Sequence, residues 1–421
     1  MTPTDAVPTE PASPAVSSAD PALASAPLDA ADPLAAFVER FEPAGDVVSY
    51  LDGNSLGRPM RATRARLDAF VRHDWGTRLI RSWDEQWMDL PTVVGDRIAA
   101  ATLGAAAGQT VVGDSTTVLL YKAIRSALAA RPDRHEIVID DDQFPTDRFV
   151  VEGIARERGA VIRWLHVDKA LGVTPELLRA AVGPDTAVVL VNHVSYRSGF
   201  VVDGAELTRI AHEAGALIVL DLCHSVGSVP LSLDAWQVDL AVGCTYKYLN
   251  GGPGAPAFLY ARAAVLPELE QPIQGWMGAA DVFAMADGYT PATGIRRFIS
   301  GTPPVVGMLA MQDMLDAIDE AGIDAIRSKS LALTDYAFAL VDAWLVPLGV
   351  TVATPREASS RGSHVTITHP DFEQIVAALW RDGVVPDFRN PDALRIGLSP
   401  LSTTFEEVRV GIAAIRAALA G

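Results

Sequence analysis

The sequence predicts an α/β protein. Its large domain is expected to hold a mostly parallel sheet flanked by helices, followed by a smaller α+β domain at the C-terminal end. Two apolar runs, 216–220 and 240–243, are continuous rather than alternating, which is typical of parallel strands covered on both faces. Strand-like and helix-like segments alternate over about 150 residues, as in a parallel sheet covered by helices. With 421 residues, 49% of them hydrophobic, the chain is long enough for two domains with substantial cores.

Strands are expected at the short apolar runs, and helices at the longer segments between them, with Gly and Pro marking the turns. The predicted strands, in chain order, are 47–51, 136–140, 160–165, 187–191, 216–220, 240–243, 365–368, 384–388 and 394–398. The predicted helices are 33–42, 60–73, 92–104, 118–130, 175–182, 203–214, 305–321, 324–345, 371–381 and 405–419. The mixture of strands and helices after residue 349 predicts the smaller domain.

Composition divides the chain into four predicted parts. Residues 1–30 hold six prolines, many Ala and Ser, and no Lys or Arg, a composition that cannot build a core and predicts a disordered tail. The tail also lacks the basic start and apolar block of a signal peptide. We expect residues 31–75 to pack with the small domain, 76–310 to form the large domain, and 311–421 to form the small one.

The overall charge and the cysteine content exclude several classes of function. A formal net charge of −18 disfavours nucleic acid and anionic membrane partners, because both require clustered positive charge. Cys223 and Cys244 are the only cysteines, and they give neither a metal-binding spacing nor a disulfide framework. A reducing cytoplasm is therefore the expected compartment. No apolar run reaches about 18 residues, so no membrane span is expected.

The strongest chemical signal lies at the ends of two predicted strands. The run 216–220 leads into Asp221, and the run 240–243 leads to Lys247 and a glycine-rich turn. In α/β proteins the carboxyl ends of parallel strands carry ligand-binding groups. Pyridoxal phosphate requires an amine that forms an imine with its aldehyde and a carboxylate that keeps its ring nitrogen protonated. Lys247 suits the first role and Asp221 the second.

Lys247 is distinguished from the other lysines by its position. The chain has only four lysines, which are Lys122, Lys169, Lys247 and Lys329. Only Lys247 follows an apolar strand and precedes a glycine turn, where burial would lower its pKa as imine formation requires. The alternative is an ordinary surface lysine after a strand.

A small polar turn at 113–117 precedes the predicted helix 118–130. Backbone N–H groups at the start of a helix, with hydroxyls beside them, make an anion site, so Thr116 and Thr117 are candidate phosphate ligands. The alternative is plain N-capping by Ser115 or Thr116, and capping and phosphate binding can coexist. The turn is neither a Walker loop nor a dinucleotide-binding G-x-G-x-x-G motif.

Other candidate ligand groups rest on weaker patterns. Phe144 follows a strand and could stack on a flat ring, and Asp147 could bind a polar ligand atom. Asn54 and Ser55 lie in a polar turn that either faces the ligand or simply connects two elements. Arg395 is a lone basic residue in the apolar strand LRIGL, so it either points at a site or faces solvent.

Seven segments together resemble the kynureninases, which belong to the aspartate-aminotransferase-like (fold type I) pyridoxal phosphate enzymes. The segments are LDGNSLGRP, GDSTTV, FPTD, DLCHSVGSVP, GCTYKYLNGGPGAPAF, QPIQGWMG and FISGTPP. The match spans about residues 47–410. It implies a pyridoxal phosphate-dependent transferase-like fold and no metal. It also implies hydrolysis of an amino acid, L-kynurenine or 3-hydroxykynurenine, to L-alanine and anthranilate or 3-hydroxyanthranilate, in tryptophan catabolism and NAD biosynthesis.

The resemblance also implies residue roles. The family's cofactor-binding positions correspond here to Thr116, Thr117, Phe144, Asp147, Asn192, Asp221, His224, Tyr246 and Lys247. Lys247 would carry the imine, Asp221 would hold the ring nitrogen, and Tyr246 would be a candidate acid–base once its pKa is lowered.

Other implied roles concern the substrate and a neighbouring subunit. Trp276 and Thr302 match cofactor-binding residues that family members contribute from the neighbouring subunit, which implies a homodimer with shared sites. Arg395 matches the arginine that holds the substrate α-carboxylate by a bidentate pair. Ser55, with Asn54 beside it, would lie on the substrate side.

The chain departs from the family pattern at Ser402, where many members have Tyr, and the tract 363–370 is only a loose match. These departures leave open a related enzyme acting on a modified kynurenine in secondary metabolism. A class V-type aminotransferase is a second alternative. A cysteine desulfurase is disfavoured, because both cysteines lie near the lysine strand rather than on a C-terminal loop. A pyridoxal-binding regulator is disfavoured by the acidic front of the chain.

Overall fold

The computed structural model describes residues 23–421, which contain two β-sheets with helices packed around them. The strands are β1 Ser49–Leu51, β2 Thr110–Val112, β3 Glu136–Asp140, β4 Val161–Leu165, β5 Thr186–Asn192, β6 Leu217–Asp221, β7 Leu240–Gly243, β8 Phe258–Ala261, β9 Thr351–Val352, β10 His364–Thr368, β11 Val384–Arg389 and β12 Ala393–Gly397. The helices are α1 Ala26–Ala31, α2 Arg61–Ala69, α3 Leu90–Ile98, α4 Thr116–Ala129, α5 Pro145–Arg158, α6 Pro175–Ala181, α7 Gly204–Glu213, α8 Leu233–Trp236, α9 Ala310–Ala321, α10 Ile323–Trp344, α11 Phe372–Arg381 and α12 Phe405–Ala420.

The larger sheet has seven strands in the order β2-β8-β7-β6-β5-β3-β4. The strands from β3 to β7 pair in parallel, whereas β8 runs antiparallel to both of its neighbours. Every residue of β3, β6 and β7 is buried, as expected for strands covered on both faces. The predicted α/β class with a mostly parallel sheet is therefore confirmed, and the antiparallel β8 is an addition that the sequence did not indicate.

Helices cover both faces of the larger sheet. The apolar side chains of α4 and α5 pack in one core cluster, and those of α7 and α9 pack in another on the opposite face. Crossover helices of this kind bring the carboxyl ends of the parallel strands to one edge of the sheet, where ligand groups can meet.

The smaller sheet has the order β1-β11-β12-β10-β9. Its strands pair antiparallel except β1, which runs parallel to β11 with Tyr50 opposite Val385. The apolar faces of α10, α11 and α12 cover this sheet in a third core cluster. The early strand β1 is therefore part of a sheet that is otherwise built from residues after 350. The domain boundaries drawn from the sequence stay predictions.

The predicted disordered tail 1–30 is wrong for residues 23–30, while residues 1–22 lie outside the described part of the chain. Residues Ala26–Ala31 form α1. Both carboxylate oxygens of Asp29 accept backbone N–H groups at the start of α12, from Phe405 at 2.8 Å and Glu406 at 3.0 Å. A carboxylate at a helix N-terminus satisfies orphan donors and interacts favourably with the helix dipole. These contacts anchor residues 23–30.

Several predicted helices differ from the structure in extent or type, including 33–42, which is the 3₁₀ helix Ala35–Arg40, and 92–104, which continues beyond α3 as π-helical turns, and one helix was not predicted. The helix predicted at 60–73 begins as α2 and continues as π-helical turns over Phe70–Arg78. The helix predicted at 305–321 begins with a 3₁₀ turn, Val305–Met308, before α9. Helix α5, which begins at Pro145, was not predicted because its charged residues obscure the apolar periodicity. Within residues 23–421, no helix is long and apolar enough to cross a membrane, and no cluster of three or more His, Cys, Asp or Glu could hold a metal ion.

Candidate active site

A cavity lies at the carboxyl ends of β5, β6 and β7. Its empty volume is about 610 Å³, which includes the part that is open to solvent. Its lining includes all nine residues that the sequence assigned to the cofactor from within this chain. The lining residues are Ser115, Thr116, Thr117, Phe144, Thr146, Asp147, Asn192, Val194, Tyr196, Asp221, Cys223, His224, Tyr246 and Lys247.

Lys247 is half-buried, and its Nζ lies 3.0 Å from Nε2 of His224. Burial, followed by the nearby charges of Lys247 and Arg395, lowers the pKa of His224 well below its ordinary value. His224 is therefore neutral and accepts a hydrogen bond from Lys247. The other ring nitrogen of His224, Nδ1, is buried without a partner among the described residues. Buried polar atoms normally have a hydrogen-bond partner, so this nitrogen beside the lysine is suited to pair with a polar group of a ligand.

The turn that carries Lys247 is fixed from two sides. The Thr245 hydroxyl donates to the Pro256 carbonyl at 2.7 Å, which closes the turn internally. The N–H of Gly57 donates to the Tyr246 carbonyl at 2.8 Å from outside the larger sheet. A Cβ at Gly57 would lie 2.3 Å from the Lys247 carbonyl oxygen, so only glycine permits this close approach. The segment LDGNSLGRP therefore supports the lysine turn directly.

Asp221 and Asp147 form a carboxyl pair on the floor of the cavity. Asp221 ends β6, and its Oδ1 accepts the backbone N–H of Cys223 at 2.7 Å. Asp147 is 1% exposed and accepts from the Asn192 amide at 2.9 Å. Burial, followed by the charge of Asp221, raises the pKa of Asp147 well above its ordinary value. Burial beside a second carboxyl therefore favours the protonated form of Asp147.

The turn at 113–117 leads from β2 into α4. Ser115 is the N-cap, and its hydroxyl accepts from the Val118 N–H at 3.4 Å, while the Thr116 and Thr117 side chains are left facing the cavity. The sequence reasoning missed a second feature of this turn. Lys122 is fully buried, and its Nζ donates to Asp114 Oδ2 at 2.6 Å and to the Phe298 carbonyl at 2.7 Å. This ion pair ties the turn to the segment that precedes Thr302.

Phe144 lies at the start of α5 and is held by a second aromatic residue. The ring of Tyr196 meets it edge-on, with centroids 5.4 Å apart and planes at 83°. Both residues line the cavity. Tyr196 was not singled out from the sequence, since it sits in a loop after β5 with no distinguishing pattern.

Arg395 lies on β12 and is 2% exposed. Its NH1 donates to the Tyr196 carbonyl at 2.7 Å, and its NH2 donates to the Ser55 hydroxyl at 3.0 Å. The alternative of a solvent-facing arginine is therefore excluded. Arg395 and Ser55 do not line the cavity themselves, and Arg395 reaches it only through its bond to Tyr196, which does. Asn54 does not line it either, because its fully buried amide lies against Gly397.

Trp276 and Thr302 are the predicted cofactor residues that this chain does not bring to the cavity. Trp276 is 46% exposed and lines a separate hollow with Val282, Met285 and Tyr289. Thr302 is exposed in the loop before the Val305–Met308 turn. Both side chains therefore face outward from the described chain.

The residues of the cavity fit pyridoxal phosphate. The ring nitrogen can meet the Asp221 carboxylate, the aldehyde can meet the Lys247 amine, and the phosphate can meet the N-terminus of α4 with its hydroxyls. The unpartnered Nδ1 of His224 gives this fit an independent structural support.

Comparison with known proteins gives three groups of similar proteins. The model of the family described as Aminotransferase class-V matches residues 96–384. Proteins named Kynureninase are similar over most of their length. The one from Pseudomonas fluorescens is 41% identical, covering 90% of this chain and 91% of that protein. The one from Deinococcus radiodurans is 42% identical, covering 93% and 95%. The one from Burkholderia pseudomallei strain 1106a is 40% identical, covering 92% and 93%.

Solved structures share the fold. A cysteine desulfurase from Thermococcus onnurineus NA1 superposes with a TM-score of 0.77 at 19% identity, covering 91% of this chain and 98% of that chain. A C-DES variant with glycine covalently linked to the PLP cofactor also gives 0.77, at 17% identity, covering 87% of this chain and 96% of that chain. At such low identity these structures show the fold alone.

Proposed function

Since the chain belongs to the kynureninases, within the class-V aminotransferase family of pyridoxal phosphate enzymes, we propose that it hydrolyses L-kynurenine or 3-hydroxykynurenine. The products are L-alanine and anthranilate or 3-hydroxyanthranilate. The observation that carries the proposal is the convergence of Lys247, Asp221 and His224 on one cavity. Arg395 stands beside this cavity as a buried cation suited to an α-carboxylate.

Pyridoxal phosphate, when bound, supplies an aldehyde for the substrate amine and a ring that stabilises negative charge at the substrate Cα. The chain's own residues prepare this chemistry. The Asp221 carboxylate would accept a hydrogen bond from the protonated ring nitrogen, and Asp147 beside it favours its own protonated form. The N–H groups and hydroxyls at the start of α4 hold the phosphate.

Lys247 moves the proton at the substrate Cα. Neutral His224 accepts a hydrogen bond from Lys247 Nζ at 3.0 Å, which orients the amine. The imidazole beside the amine therefore carries no charge of its own. Arg395 binds the substrate α-carboxylate and so fixes the Cα against the lysine. The Ser55 hydroxyl, 3.0 Å from Arg395, completes this end.

Tyr246 acts as a proton donor during cleavage of the Cβ–Cγ bond. Sequence reasoning required its pKa to fall for acid–base work. Burial and the neighbouring Cys244 instead raise the pKa of Tyr246 above its ordinary value. A phenol that stays protonated can give a proton to a developing carbanion or oxyanion, whereas it is a poor base.

The assembly is a homodimer in which each site receives Trp276 and Thr302 from the other subunit. Supporting this, both residues are exposed and absent from the cavity of their own chain. An apolar groove lined by Phe70, Trp75, Trp83, Trp87 and the 303–307 segment lies close to Thr302 in sequence and offers surface for a second copy. The compartment is the cytoplasm, which suits two buried free cysteines.

The function is tested by mixing the purified protein with pyridoxal phosphate and each kynurenine and following anthranilate fluorescence. We expect turnover with at least one of the two substrates. Lys247→Ala abolishes turnover, whereas Lys169→Ala, at an exposed lysine, leaves it intact. Production of glutamate from 2-oxoglutarate without anthranilate would instead identify an aminotransferase.

A further inference from the structure

The substrate end of the site holds two carboxylates that the proposed chemistry does not use. Asp387 on β11 lies directly opposite Arg395 in the strand register. Its Oδ2 accepts from Arg395 Nε at 2.6 Å and also contacts NH2 of the same guanidinium. It further accepts from Arg389 Nε at 2.8 Å. Asp387 therefore occupies one whole edge of the Arg395 guanidinium.

The other edge of Arg395 has only uncharged partners. Its two terminal nitrogens contact the Tyr196 carbonyl and the Ser55 hydroxyl. The Ser55 hydroxyl can rotate away or donate to an incoming carboxylate, so a ligand can replace it on this edge. The opposite edge is held by the charge of Asp387. The carboxylate of Asp387 consequently selects the edge that a substrate meets and keeps the guanidinium from turning.

Asp52 is the second carboxylate, in the turn that follows β1. Its Oδ1 is buried without a hydrogen-bond partner among the described residues. Burial and then the charge of Asp387 raise the pKa of Asp52 to about 6, against the opposing effects of Ser55, Arg395 and Arg389. Asp52 is therefore a buried carboxyl with one unsatisfied oxygen and a pKa raised toward neutral pH.

The charges around Asp52 are balanced before substrate arrives. The groups that face it are Asp387 and Arg389 from β11, Arg395 from β12, Tyr50 and Ser55 from its own segment, and Tyr248 from the lysine turn. Both tyrosines are neutral, because burial raises their pKa. Two guanidinium cations therefore meet two carboxylates, and a third carboxylate from substrate leaves one uncompensated negative charge in a buried place.

We propose that Asp387 is the positioning residue that presents the Arg395 guanidinium to the substrate carboxylate, and that Asp52 takes up one proton from solvent when that carboxylate binds. This inference rests on the proposed function, which gives Arg395 its ligand. Protonation of Asp52 restores the balance of charge without breaking the Asp387–Arg395 pair. Substrate binding is thereby linked to pH at a group that does not touch the cofactor.

Proton uptake is measured by titrating the cofactor-loaded enzyme with 3-benzoylpropanoate, which carries the carboxylate and ketone of the substrate without its amine. Calorimetry at pH 7 in two buffers of different ionisation enthalpy counts the protons. We expect close to one proton per site for the unaltered enzyme, none for Asp52→Asn, and an unchanged count for Asp46→Asn at an exposed position of the same segment. Uptake that persists in Asp52→Asn would overturn the assignment.

Asp387 is tested by separating KM from kcat. Asp387→Asn keeps an acceptor but loses the charge, so we expect KM to rise about 10- to 100-fold with kcat changed less than about threefold. Asp387→Glu should recover part of the affinity and serves as the folding control. An unchanged KM in Asp387→Asn would refute the positioning role.

Failure of the inference can be told apart from failure of the proposed function. Arg395→Lys should weaken binding of the analogue, because lysine cannot form a bidentate pair. If it does so while the unaltered enzyme takes up no proton, the proposed function stands and the role of Asp52 fails. If Arg395→Lys binds the analogue normally, the carboxylate site proposed for Arg395 is itself wrong.

Discussion

Replacing the buried Lys122 by Met should destabilise the protein and weaken its hold on the cofactor. Two hydrogen bonds of the ammonium are lost, to the Asp114 carboxylate and to the Phe298 carbonyl. At about 1.5–3 kcal/mol for each hydrogen bond to a charged group, their loss amounts to roughly 3–6 kcal/mol. Burial lowers the pKa of Lys122, because a buried ammonium has lost its hydration. Removing the charge therefore offsets part of this loss of stability. Asp114 is one-third exposed and can rehydrate, which places the net loss near 2–3 kcal/mol.

The assay is urea unfolding at fixed protein concentration, combined with titration of pyridoxal phosphate. Lys169→Met is the matched control, because Lys169 is exposed and its loss should cost under about 0.5 kcal/mol. In the double variant with Asp114→Asn, the two effects should be less than additive, because both changes break the same contact. A loss in Lys122→Met no larger than in Lys169→Met would refute the reasoning.

Three further predictions concern the cofactor end and the response to pH. Asp221→Asn should lower kcat roughly 10- to 150-fold, whereas Asp147→Asn, which mimics the protonated carboxyl, should stay within about threefold; steady-state kinetics checks both. Gly57→Ala should cost about 1–3 kcal/mol in urea unfolding, because its methyl meets the backbone of the lysine turn. Burial lowers the pKa of His193 to about 4 and of His364 to about 3. Their neutral forms therefore stabilise the fold above pH 6.5, and this stability is lost on acidification. His364→Gln should reduce the slope of unfolding free energy against pH by up to about 1.4 kcal/mol per pH unit between pH 4 and 6.5.

The larger sheet and the cofactor end could be predicted because the information is local. Strands β3 and β7 agree with their predicted extents, since a continuous apolar run marks a strand buried on both faces. Once strands are parallel, residues just after them must meet at one edge, which brings Asp221 and Lys247 to one cavity. The antiparallel β8 was not predicted as a strand, because a four-residue apolar run after a glycine- and proline-rich turn encodes neither a strand nor its direction.

The contacts that the sequence could not indicate join residues far apart in the chain. Lys122 looks like one more residue of a helix until Asp114 and Phe298 are placed around its ammonium. Acid–base work by Tyr246 was expected to require a lowered pKa. The direction of its pKa shift depends on how deeply the phenol is buried, and only the packed structure shows this. Burial is a property of the surroundings rather than of the motif.

The same distinction, between local contacts and contacts that join distant parts of the chain, predicts different effects for mutations at the two ends of the site. The cofactor end is built mainly on strand ends of one sheet, with one support from outside it at Gly57, so most of its geometry survives as long as that sheet folds. The substrate end joins Arg395 and Ser55, which lie on or just after strands of the small sheet, to Tyr196, which follows β5 of the large sheet. It therefore exists only when the two sheets are packed together. Changes that loosen this packing should therefore raise KM before they release the cofactor, whereas Asp387 holds Arg395 within the small sheet itself.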